Sequence, residues 1–100
     1  MPAVNAQNFE AVLTPDMRDE FWRRVKFSLR HFFGETEDLA DRYRDMVEAD
    51  PIGQQLLVYH DDPLKIAAEL AGADASWQQH ADDYRRRFPD VFHGLDSSQP

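Results

Sequence analysis

The chain has 100 residues, the size of a single domain with one modest core, and a formal charge of −8. Hydrophobic residues make up 42%, and seven Phe, three Tyr and two Trp supply large buried areas, which excludes a disordered chain despite 30% charged residues. With no Cys there is no disulfide framework, no thiol nucleophile and no ordinary zinc ribbon. Gly and Pro together number ten, few for an all-β chain with many turns. The acidic balance argues against nucleic acid or an anionic membrane as partner, since both call for clustered Lys and Arg. The opening MPAVNAQNFEAVL lacks the basic flank and apolar run of a secretory signal. No stretch approaches the roughly 20 apolar residues of a membrane span. The expectation is a cytoplasmic protein without a membrane partner.

Residues 1–13 read as a partly irregular segment whose Phe9, Val12 and Leu13 pack on the body. Thr14-Pro15 opens the first helix: Thr accepts a bond from a free N–H, Pro suits the first turn, and Asp16, Asp19 and Glu20 suit the positive end of the dipole. The helix is expected over 15–33, ending at Gly34. Met17, Phe21, Trp22, Val25, Leu29, Phe32 and Phe33 form its apolar stripe, and Phe27 lies off it among Arg23, Lys26 and Arg30. Thr36 is expected to cap a second helix over 37–50, with Leu39, Ala40, Tyr43, Met46 and Val47 buried. The short link predicts an antiparallel αα-hairpin. Residues 15–34 carry five basic and three acidic side chains, and residues 35–50 two basic and seven acidic ones, so the two segments attract.

Asp50-Pro51 is expected to start a third helix with Leu56, Leu57, Tyr59 and Ile52 on its buried side. Asp62-Pro63 repeats the device for a fourth, 64–71, nearly apolar throughout and so central in the core. Asp74 or Ser76 caps a fifth, 75–88, with Trp77, Ala81, Tyr84 and Phe88 on one face. Arg85, Arg86 and Arg87 sit at its negative end. Val91, Phe92 and Leu95 are expected to dock back. Together these give an all-α single domain of four to five helices built on the 15–33/37–50 hairpin. The helical domain spans 14–92, followed by a flexible tail over 93–100.

No glycine-rich phosphate loop, zinc-protease spacing, Glu-x-x-His pair or nucleophile elbow occurs, so no cofactor and no catalytic residue is expected. The balance is toward a non-catalytic protein-interaction module or regulator rather than an enzyme. Its partner would be another protein or a second copy, as in a homodimer. Aromatic and Arg residues dominate interfaces, which singles out Arg23, Lys26, Phe27, Arg30, Arg86 and Phe92 as protein-binding candidates. The competing account is that this basic strip bridges to the acidic second helix.

Two alternatives rest on short motifs. His60-Asp61 resembles the paired His-Asp of HD-type metal-dependent phosphohydrolases, whose pattern adds an earlier His and a later Asp. The resemblance implies His31, His60, Asp61 and Asp82 (or Asp83) as ligands of a hard metal. Pro63 interrupts the helix where that family continues it, and the chain is short for that fold. Lys65 to Gly72 followed by Ser76-Trp77 resembles the opening of a helix-turn-helix unit. Its reading helix would meet phosphates with Asp74, Asp82 and Asp83 first.

Overall fold

Proline and a capping oxygen set where the chain turns helical. In the computed structural model, which describes residues 13–73 and 76–89, those residues are helical with no strand. They form α1 (Pro15–Phe33), α2 (Asp38–Glu48), α3 (Ile52–Tyr59), α4 (Pro63–Leu70), a 3-10 turn (Trp77–His80) and α5 (Ala81–Arg87). Thr14 Oγ1 accepts from the Met17 N–H at 3.2 Å, and Asp62 Oδ1 accepts from the Leu64 N–H at 3.0 Å, so both caps form as expected. Gly34 closes α1 in the left-handed region at φ 66°, which lets the Glu35 N–H reach the Leu29 carbonyl at 2.9 Å.

The caps expected for α2 and α3 are not made. Neither Thr36 nor Asp50 gives α2 or α3 a side-chain cap. Asp50 instead belongs to the end of α2, its N–H bonded to the Val47 carbonyl at 3.0 Å. Pro51 takes the cap position of α3. The buried Gln55 then supplies what the caps do not: its side-chain amide donates to the Asp50 carbonyl at 2.9 Å and the Glu48 carbonyl at 3.4 Å, satisfying groups that α2 leaves open.

The principal pairing is α1 with α4, not α1 with α2. Ala67 and Ala68 are fully buried, and their small side chains let the α4 backbone approach α1 closely. The core between them holds Leu13, Phe21, Trp22, Val25 and Leu29, joined by Ala40 and Val47 of α2, Tyr59 of α3, and Ile66 and Ala67 of α4. Phe21, Trp22 and Tyr59 meet edge to face at 5.1–6.1 Å, and Trp22 Nε1 donates to the Tyr59 hydroxyl at 2.9 Å.

Met46 and Leu57, both expected in the core, are 66% exposed. On α2, Ala40 and Val47 hold the buried face with Leu39 and Tyr43 half-buried beside them, so Met46 falls on the flank it shares with Arg42. On α3, Gln55 and Tyr59 take the buried positions one turn apart, which turns Leu57 outward. The fifth helix is also shorter than expected: residues 77–80 tighten into the 3-10 turn, and Ser76 donates its hydroxyl to the Ala73 carbonyl at 3.0 Å instead of capping. Phe9, Val12, Asp74, Val91, Phe92, Leu95 and the 93–100 tail lie outside the described residues.

Replacing Tyr59 with Phe removes the acceptor of a buried indole N–H, so Tyr59→Phe should lower unfolding stability in urea by about 1–3 kcal/mol. Ala67→Leu should cost about 1–3 kcal/mol by forcing α4 off α1, whereas Leu57→Gln should stay within about 0.5 kcal/mol of the parent.

Candidate docking interface

Phe27 leads to the second face of α1. A smaller cluster, Leu64, Tyr84 and Phe88, is buried there, with Phe27, Phe32, Phe33, Trp77 and Ala81 packed around it. Its rings run continuously. Tyr84 meets Phe88 at 5.0 Å, Phe88 meets Phe27 at 5.3 Å, and Phe27 stacks on His31 at 5.0 Å. His31 then meets Phe32 at 4.8 Å edge-on, and Phe32 stacks on His80 at 5.1 Å. Glu20, Arg24, Phe27 and His31 follow one another at helical spacing, so this stripe faces α5 as the apolar stripe faces α4.

Arginines cover the ladder. The Arg24 side chain is buried, with its guanidinium 4.8 Å from the centre of the Phe88 ring and its Nε donating to Glu20 at 2.7 Å. Arg23 lies 5.6 Å from the same ring and also donates to Glu20. Arg87 lies over Phe27 at 5.1 Å, and no carboxylate among the described residues pairs with it. Hydrogen bonds from Arg23 hold the Glu20 carboxyl below its ordinary value, against the opposing effect of partial burial.

The outer side of the ladder is concave. Arg23, Lys26, Phe27, Arg30, His31 and Glu37 line a depression of about 490 Å³. A second, of about 360 Å³, is lined by His31, Asp83, Arg86 and Arg87. His31 is common to both, so five of the six residues singled out in the sequence share one face, and Phe92 lies outside the described residues. The lining carries five cations against two carboxylates, an excess of three positive charges on a chain of net −8.

Several of these cations are already paired. Lys26 meets Asp41 at 2.7 Å and Arg30 meets Glu37 at 2.9 Å, joining α1 to the start of α2, and Arg44 reaches back to Asp19 at 2.8 Å. Arg86 meets Asp83 at 2.7 Å. The opposite charges of neighbouring segments thus meet in space, but in exposed pairs worth only about 0–1 kcal/mol each. Sequence reasoning did not single out His31 or Arg87 for this face. His31 carries a signal only as the residue one turn beyond Phe27, and Arg87 only as one member of a triple Arg run.

The residues of the metal alternative are not gathered. Among the described residues no three His, Asp or Glu side chains stand where they could hold a metal ion. His31 stacks on Phe27, whereas Asp61 accepts from the Asp62 N–H at 3.1 Å and lies 3.6 Å from Lys65. His60 follows the last turn of α3. For the helix-turn-helix alternative, the candidate reading segment is the 3-10 turn running into the seven-residue α5, with Asp82 and Asp83 in the first turn of α5.

Burial, reinforced by the charge of Asp62, pushes the Tyr84 phenol up to about 12. The folded chain therefore holds this proton more tightly than the unfolded one. The stability this contributes is complete below the ordinary tyrosine value of 10 and is lost as pH rises through about 12. Burial raises Tyr43 and Tyr59 as well, so phenolate absorbance should show late ionisation overall, and Tyr84→Phe should remove the step near pH 12 that belongs to Tyr84. A Tyr84 that titrates normally near pH 10 would mean that α5 is not docked as described. Comparison with known protein families, characterised proteins and solved structures finds no match, so the functional reading rests on the chemistry of this face.

Proposed function

We propose that the chain is a non-catalytic protein-interaction module that docks its partner on the α1/α5 face. The observation that carries this reading is the convergence at His31 of two arginine-rimmed concavities, the larger of which has Phe27 in its lining. Aromatic and Arg side chains supply most of the energy of protein interfaces, because they combine large contact area with directed hydrogen bonding. Here the rings are held rigid by α5, so little ordering cost attends their use. The exposed ion pairs along the rim exchange partners at small cost. The proposal takes the cytoplasm as its setting and a protein as partner. No helix among the described residues is long and apolar enough to cross a membrane.

Site-directed photo-crosslinking in cells tests the location. A photoreactive phenylalanine analogue at Arg30 or Arg86 should give discrete adducts to a partner. The same group at the exposed Glu69 or Gln54, away from the face, should not. Adducts of equal yield from all four positions, or from none, would refute docking on this face.

A further inference from the structure

We propose that the α1/α5 face takes an acidic segment of a partner protein, which sets carboxylates on the rim arginines and an aromatic or branched apolar side chain against Phe27 and His31. This inference rests on the docking reading above and adds the partner's chemistry to it.

Charge complementarity carries the argument. The lining has five cations against two carboxylates, and although Glu20 on Arg23 and Asp41 on Lys26 offset two of them, one positive charge stays in excess on a chain that is acidic overall. Its cations already engage carboxylates in the free chain: Arg30 holds Glu37 with 69% of the arginine side chain exposed, and Arg86 holds Asp83 with 75% exposed. These pairs show the coordination that incoming Asp or Glu side chains would copy, and their exposure leaves guanidinium donors open to a second carboxylate. Arg87 goes further, because no carboxylate among the described residues neutralises it and the Phe27 ring holds its guanidinium in place.

The apolar requirement follows from the same geometry. Phe27 and His31 lie nearly parallel, at 19°, and both line the larger concavity, so its floor includes flat aromatic surface beside the cations. A polyanion such as nucleic acid matches less well. It would bring phosphates against Glu37 and Asp83 and against the field of a −8 chain, whereas a short acidic segment asks only for the local excess.

The test is a titration of the intact, isotope-labelled protein with three peptides of equal length, followed by amide chemical shifts. One alternates Asp and Glu with Phe and Leu; in the second the acids become Asn and Gln, and in the third Lys. The acidic peptide should bind with a Kd of about 100 μM or tighter, shifting amides of residues 23–31 and 83–87. Its affinity should fall roughly tenfold as ionic strength rises from about 0.05 M to about 0.3 M. The other two peptides should leave the face unshifted. Arg87→Glu, at the exposed end of α5 and checked for an unchanged spectrum elsewhere, should weaken binding roughly fivefold or more.

Equal binding of the neutral peptide at the face would overturn the acidic class while leaving the docking reading intact. So would failure of the acidic peptide alongside successful crosslinks at Arg30 and Arg86. Failure of both would remove the docking reading as well. Concentration-dependent shifts of the same amides in the protein alone would overturn the proposal in favour of a second copy of the chain.

Discussion

The close approach of α4 to α1 at Ala67 and Ala68 is the contact on which the rest of the structure depends. A 19-residue helix buries one stripe readily, but α1 buries two, and α4 is what makes that possible. Its alanines bring the backbone in. Ile66 and Ala67 then join Phe21, Trp22 and Tyr59 on one side, while Leu64 joins Tyr84 and Phe88 on the other. Phe33 packs against both clusters and links them.

The two clusters differ in how they handle polar groups. The larger one is built of hydrophobic side chains and satisfies its buried indole with a tyrosine hydroxyl. The smaller one is assembled from rings and guanidinium groups, with Arg24 buried at 5% exposure against Phe88 and paired with Glu20. A buried arginine is tolerable only when its charge is compensated, and here a carboxylate and a ring face do so together. The side chains that dock α5 onto α1 therefore also form the floor of the candidate interface. Phe27 and Arg87 belong to both, because Phe27 meets Phe88 and Arg87 lies over the Phe27 ring.

Much of the helix layout was legible in the residues. Thr14-Pro15, Gly34 and Asp62-Pro63 mark boundaries by local chemistry that needs no tertiary partner, and each stands where that chemistry places it. The prominence of Arg23, Lys26, Phe27, Arg30 and Arg86 was legible too, as residue types suited to interfaces. Their meeting around His31 was not, because α1 and α5 are separated by almost half the chain and no spacing rule relates them. The stripe Glu20, Arg24, Phe27 and His31 also conceals that Arg24 is buried and Glu20 and Phe27 half-buried, since three of its four members are polar and a hydrophobic pattern passes over them.

What the sequence determined by itself was the helical class, the start of α1 and α4, the acidic second helix and the apolar character of the fourth. These follow from propensity, capping and hydrophobic period, all of which act within a few residues. Only the tertiary structure decided that α1 pairs chiefly with α4, that Gln55 closes the end of α2, and that Met46 and Leu57 face outward. It alone drew Phe27 and its flanking cations into a face with the end of α5. The reason is that a helix offers more apolar surface than its neighbours can cover, and which part is covered depends on the shapes of elements distant in the chain.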